Sequence, residues 1–331
     1  MSDDIAVALN ELLQYRKSKP LDTAGFAELK HNKDLCPTVE NQLETLLSCY
    51  YRYHRVAYDV QCLRDRGTDV VLRLGEDDDR QYVSFQIKSY DDLKHKDYLT
   101  KLKAQILEVR GEFPNNLEHC YVLICTDVLA DKDKTRYIKK DLANLPWVTV
   151  IDPTYAWTFL RLSSLRIESV VQSVMRRDDL VYLAATQLVE EHSPLELAAI
   201  LSMLWQSRTT GSTRFTVEDI LRVGFFTNAL SCIPDYSRDD YLYGETDRRD
   251  RKQDEDQRVA ELIDWLDDGA VSLETYTGKL QFDPNAFQPL EALMLDAIVR
   301  YGYEGDELLS LMFEMLDVPR KYEIVTAFDG A

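Results

Sequence analysis

At 331 residues with 45% hydrophobic content, the chain is long enough for two halves that each bury a core. Its 39 Lys+Arg against 58 Asp+Glu leave a formal net charge of −19, which at face value opposes a nucleic-acid partner, because phosphate affinity draws on basic side chains. The distribution of charge changes that expectation: residues 1–160 hold 22 Lys+Arg and 26 Asp+Glu, a net of −4, while residues 161–331 hold 17 and 32, a net of −15. A nearly neutral first half can still present a basic rim to DNA, whereas the acidic second half is expected to face a protein partner. No apolar run reaches the roughly 18 residues of a membrane span, and MSDDIAVALN lacks a basic-then-apolar leader, so the expectation is a cytoplasmic protein without a membrane partner.

Residues 5–17 place Ile5, Leu9, Leu12 and Leu13 at helical spacing. Residues 39–55 do the same with Val39, Leu43, Leu46, Leu47 and Tyr50, behind Pro37-Thr38 as a start signal. From 57 to 63 and from 68 to 74 the residues alternate as strands, the acidic 75–80 stretch reads as a turn, and 81–89 alternates again, which makes a hairpin. A helix is predicted over 98–111, a buried strand over 120–125, a polar helix near 134–142, a strand over 147–151 and a helix opening at Pro153. A hairpin followed by alternating helix and strand gives an α/β fold with a mixed sheet.

Beyond about residue 165 the period is helical. Ser193-Pro194-Leu195-Glu196 has capping-box spacing with Pro at the first helical position, and Thr216 with Asp219 opens a further short helix. The charged 234–257 stretch has too few apolar groups to fold alone and reads as an exposed loop or disordered insert. A helix near 259–266, a ribbon (271–276 and 279–282, turning at Thr277-Gly278) and two final helices complete the chain. Helices followed by a ribbon predict a winged-helix-like unit, giving domains at 1–165 and 166–331. The helix before the ribbon carries Glu261, Asp264, Asp267 and Asp268, whose charge opposes phosphate and favours protein docking. The six cysteines (Cys36, Cys49, Cys62, Cys120, Cys125, Cys232) form no CxxC pair and stand at no zinc spacing from a histidine, so free, mostly buried thiols are expected.

The chemistry-bearing residues lie on the hairpin. Residues two apart on a strand share a face, so Tyr82, Ser84, Gln86 and Lys88 project together, opposite Val83, Phe85 and Ile87. If Leu74 pairs with Gln81, Asp69 lies opposite Gln86; a two-residue slip sets it opposite Lys88. The shared polar face is expected to stand outside the core. Asp69, Gln86 and the Ile87 carbonyl offer oxygen donors of the kind magnesium or manganese takes, Lys88 a cation for developing charge, and Glu44 on the upstream helix a second carboxylate. Basic clusters at Lys94-His95-Lys96, Lys101 with Lys103, and 132–140 are candidates for a phosphate rim, and the Tyr50–Arg55 segment for base stacking.

Glu44, then Gly67-Thr68-Asp69-Val70-Val71-Leu72, then Phe85-Gln86-Ile87-Lys88, resemble the PD-(D/E)xK nuclease superfamily, in its Mrr-type restriction-endonuclease branch, over roughly residues 35–160. Thr68 stands where Pro usually precedes the aspartate, and Gln86 where an acidic residue is usual. The resemblance implies a restriction-endonuclease-like sheet, metal ligation by Asp69, Gln86 and Glu44, catalysis by Lys88, and a bacterial anti-phage or restriction role. The function expected is therefore magnesium- or manganese-dependent DNA endonucleolysis, with self-association left open. The rival expectation is a nuclease-fold interaction subunit that does not cut, and an RNA substrate stays open because nothing here reads a 2′-hydroxyl.

Overall fold

The computed structural model describes residues 3–15, 23–54, 58–61, 68–75, 80–216, 219–220, 223, 271–274 and 279–318. The chain divides into two compact units, Met1–Met175 and Arg176–Ala331.

The first unit is built on a five-stranded sheet in the order β1-β2-β3-β4-β5. Its strands are β1 (Tyr58–Gln61), β2 (Val70–Leu74), β3 (Gln81–Ser89), β4 (Leu117–Cys125) and β5 (Val148–Ile151). The first three run antiparallel, β3, β4 and β5 parallel. Parallel neighbours need a crossover, and α3 (Tyr98–Glu112) and α4 (Lys132–Leu142) supply the two. Helices α1 (Asp3–Leu13), α2 (Cys36–His54), α5 (Pro153–Phe159) and α6 (Ser164–Arg176) complete the unit. The hairpin pairs Leu74 with Gln81 and Val70 with Phe85, the first of the two predicted registers.

Both sheet faces are covered, and this corrects the expectation of a polar face outside the core. Ser84, Gln86 and Lys88 pair with Cys120, Val122 and Ile124 on β4, whose side chains pack with Leu102, Ile106, Ile138 and Leu142 of α3 and α4. Parallel partners share a face, so the polar trio lies beneath those helices: Ser84 and Gln86 are 0% exposed and Lys88 7%. Ser84 is reconciled to burial by the Thr68 hydroxyl, 2.7 Å away. On the opposite face Phe85 stacks on Tyr121 at 5.4 Å, and the Tyr121 hydroxyl donates to Asn10 of α1. Helix α2 presents buried Val39, Leu43, Leu46 and Leu47, each worth about 1.5–3 kcal/mol. Its buried Gln42 donates to the carbonyls of Phe159 and Leu162, tying α2 to the end of α5.

The second unit holds α7 (Leu180–Glu191), α8 (Pro194–Thr210), β6 (Arg214–Phe215), β7 (Val271–Glu274), β8 (Lys279–Phe282), α9 (Gln288–Tyr301) and α10 (Gly305–Met315). The capping box at Ser193 forms in full: its hydroxyl accepts from the Glu196 N–H, and its own N–H donates to Glu196 Oε2. Asp219 accepts from the Thr216 N–H and hydroxyl, as its helix-start spacing implies. The predicted ribbon gains a third strand, giving an antiparallel sheet in the order β6-β8-β7. The 234–257 stretch, the helix near 259–266 with Glu261, Asp264, Asp267 and Asp268, and the Thr277-Gly278 turn lie outside the described residues.

Candidate active site

The site residues other than Glu44 gather at the start of β2 and the carboxyl end of β3, the edge at which open α/β sheets place their ligands. The Asp69 N–H donates to the Phe85 carbonyl, so pairing already holds one residue ahead of β2 and sets Asp69 opposite Gln86. The two carboxylate oxygens of Asp69 are used differently. Oδ2 accepts from the Ile87 N–H at 2.6 Å, which fixes the carboxylate against the edge of β3. Oδ1 lies 3.1 Å from Nε2 of His31.

His31 in turn sets Nδ1 3.2 Å from Asp92 Oδ2, an oxygen that also accepts from the Ser89 N–H and hydroxyl at 2.9 and 2.6 Å. A continuous polar chain therefore runs from Asp69 through His31 to Asp92 and Ser89. The hydrogen bond to Asp69, then those to Asp92 and Cys36, outweigh the opposing effect of burial and push the His31 pKa up to about 12. At Asp92 burial opposes the charge, but hydrogen bonds from His31 and from both Ser89 groups hold the carboxyl well below the usual range.

Cys36 joins this group. Its thiol, a His31 ring nitrogen and an Asp69 carboxylate oxygen all lie within 4.8 Å of one another. The local backbone explains the meeting. Residues His31–Leu35 form a π-helical turn, with the Cys36 N–H bonded to the His31 carbonyl, and this turn feeds directly into α2. In an α-helix positions five apart stand about 140° apart around the axis, whereas an i→i+5 turn brings the fifth residue back over the first.

Lys88 projects beneath α3, where its ammonium donates to Gln105 Oε1 at 2.9 Å. Glu44 is not brought to this group. It lies eight residues along α2 from Cys36, about 12 Å of helix rise. Its carboxyl pKa is raised by burial, then by Asp59 of β1 and by Glu40. Asp59 pairs with Arg73, towards the far end of β2 from Asp69. Among the described residues no hydrogen bond or ion pair links Glu44 to Asp69.

The predicted phosphate rim is largely self-neutralised: Lys94 pairs with Asp91, Lys101 with Asp97, Lys103 with Asp141, Lys134 with Asp131, Arg136 with Asp133 and Lys139 with Asp152. In the Tyr50–Arg55 segment Tyr50 is buried, and Arg52 lies 4.0 Å from the buried Glu168, so both turn inward. Cys36, Cys49, Cys120 and Cys125 are buried and form no disulfide, as expected, while Cys62 and Cys232 lie outside the described residues; burial pushes the Cys120 thiol up to about 12.

Sequence reasoning missed His31, Cys36, Asp92 and Gln105. Ser89 and Asp92 carry a signal in their three-residue spacing, which suits a side-chain-capped turn. The His31–Cys36 spacing matches no zinc pattern, and helical arithmetic sets the two apart. Comparison with known families, curated proteins and solved structures returns no match to this chain.

Proposed function

We propose that the first unit is a divalent-cation-dependent DNA endonuclease, of the kind used in bacterial restriction or anti-phage defence, and that the acidic second unit docks a protein partner. The observation that carries this reading is the hairpin register, which sets Asp69 opposite Gln86, with Lys88 next on that face. Further support comes from the order of helix α2, antiparallel hairpin and parallel β4, which agrees with the restriction-endonuclease-like sheet that the sequence resemblance implies. The β6-β8-β7 sheet behind α8 supports a winged-helix-like reading of the second unit.

In this reading Asp69 would hold a cation, which would supply Lewis acidity for a phosphate oxygen. The Ile87 N–H holds Oδ2 and so orients the Asp69 carboxylate. Lys88 keeps a desolvated ammonium at the strand end for charge developing on the phosphate, and Gln105 fixes its position. Magnesium fits the observed donors poorly. Its oxygen set would be Asp69, Gln86 and the Ile87 carbonyl, yet the groups drawn together at Asp69 are an imidazole nitrogen and a thiol. No step is therefore assigned to magnesium.

A second reading has its own observation. Gln86 is fully buried and Lys88 nearly so beneath α3, an arrangement suited to a sheet that retains the fold as an interaction subunit without cutting. A plasmid-nicking assay with magnesium, manganese, zinc or no added ion, on wild type and Lys88→Met, separates the two. Cation-dependent nicking lost in the variant supports the nuclease, and its absence under every ion supports the interaction subunit.

A further inference from the structure

The donors around Asp69 point to a different ion from the one the hairpin motif calls for. We infer that His31 Nε2, Cys36 Sγ and one Asp69 carboxylate oxygen form a site for a single borderline transition-metal ion of the zinc, cobalt or nickel class, with its fourth position open.

Distance is the first argument. A tetrahedral ion about 2.0–2.3 Å from each donor sets the donors about 3.3–3.8 Å apart. His31 Nε2 and Asp69 Oδ1 already stand at 3.1 Å, and all three donor atoms lie within 4.8 Å of one another. Binding displaces the proton that His31 Nε2 shares with Asp69 and draws the three donors together by about an ångström.

Donor chemistry is the second. One thiolate, one imidazole and one carboxylate match zinc and its neighbours, whereas magnesium keeps to oxygen.

Orientation is the third. The Asp92 carboxylate faces His31 Nδ1 and leaves Nε2 directed at Asp69, the carboxylate–histidine pairing that fixes an imidazole for metal. Asp92 is itself held by both Ser89 donors, and Asp69 by the Ile87 N–H. Every ligand except the thiol thus has its support in place.

The backbone is the fourth. A π turn in front of α2 is a costly departure from α-helical winding, and such turns concentrate at functional sites; here it is what aligns His31 with Cys36. Among the described residues three protein ligands meet and leave one position open, the pattern of a catalytic ion rather than a structural one. The site is reachable, since the His31 and Asp69 side chains keep 22% and 18% of their exposure.

The inference shares Asp69 with the proposed nuclease site but does not rest on cleavage. It is tested by titrating the metal-free, full-length chain with cobalt(II) alone. Expected are one equivalent bound, a thiolate-to-cobalt charge-transfer band, visible tetrahedral bands, and no displacement by a large excess of magnesium. Cys36→Ser should abolish the charge-transfer band. Asp92→Asn, which removes no ligand but weakens the support of His31 and its anchor at Ser89, should weaken affinity by about 10–100-fold while leaving the band's shape unchanged. A wild-type chain without the band overturns the inference, and so does a Cys36→Ser variant that keeps it unaltered, because another thiol would then hold the ion. Should Cys36→Ser fail to fold, the wild-type band and its loss in His31→Ala decide the matter. Nicking with magnesium but no cobalt band would sink this site and leave the nuclease standing; the band without nicking would do the reverse.

Discussion

Lys88→Met separates catalysis from folding. In wild type the Lys88 stem runs under α3 and its ammonium, 7% exposed with the rest of the residue, bonds Gln105 at 2.9 Å. A hydrogen bond to a charged group is worth about 1.5–3 kcal/mol, but its loss is offset in part because methionine removes the cost of desolvating an ammonium. Gln105 is only half-buried and can turn its amide to water. Methionine keeps the apolar length of the stem, so the net destabilisation should be about 0–2 kcal/mol. Lys88→Ala also deletes three methylenes, at about 0.8 kcal/mol each, and should lose about 2–4 kcal/mol. The cut in cleavage should not follow that ranking. If the ammonium stabilises charge in the transition state, both variants should lose about 100- to 1000-fold, or about 2.7–4 kcal/mol of barrier stabilisation. Urea unfolding and supercoiled-plasmid nicking measure the two quantities side by side. Nicking by Lys88→Met within about tenfold of wild type, under about 1.4 kcal/mol, would remove Lys88 from the chemistry. A loss that tracks the stability order, small for methionine and large for alanine, would give it a packing role only.

Glu44→Gln should leave nicking within about tenfold and stability equal or slightly raised at pH 7, since it removes a charge that burial, Asp59 and Glu40 all disfavour; a collapse of activity would return Glu44 to the site. Gly25→Ala should destabilise the first unit by about 1–3 kcal/mol by urea titration, because the new Cβ would come within 2.6 Å of Trp157 Cη2, a ring already packed against Phe26 and under Arg161. Ser193→Ala breaks the capping box of α8 and should cost about 1 kcal/mol, read by calorimetry as a fall of about 2–4 °C in the transition of the second unit. DNA affinity should fall gently with salt, with a log–log slope shallower than about −4, because most rim lysines already carry an aspartate; a slope of −6 or steeper would mean those pairs open onto phosphate.

The hairpin was legible because its register is set by a period of two. Once Leu74 faces Gln81, Asp69 has to oppose Gln86, and β3 occupies the residues 81–89 that alternation marks out. Ser193 and Glu196 were legible for a similar reason, since both partners of the capping box lie within four residues. The burial of Gln86 and Lys88 was not legible. Alternating polarity signals a solvated face, and only the crossovers α3 and α4, folding back over β4, cover it. His31 was hidden for a different reason. Its partners are 38 and 61 residues away in sequence, and its alignment with Cys36 depends on a π turn that no propensity announces. Glu44 illustrates the reverse error: helical spacing gives the side of α2 it occupies, but not the distance along the helix at which the sheet edge is met.

The two metal readings meet at Asp69 and constrain each other. Gln86 lies opposite Asp69, and Lys88 lies two residues further along β3, about 6.6 Å of strand rise. In the proposed reading that rise, together with the reach of the Lys88 side chain, sets how far the ammonium stands from an ion at Asp69. The open coordination position and the ammonium would then flank a single phosphodiester, with β3 as the ruler between them. Gln86 would serve as a buried spacer on that ruler rather than as a ligand.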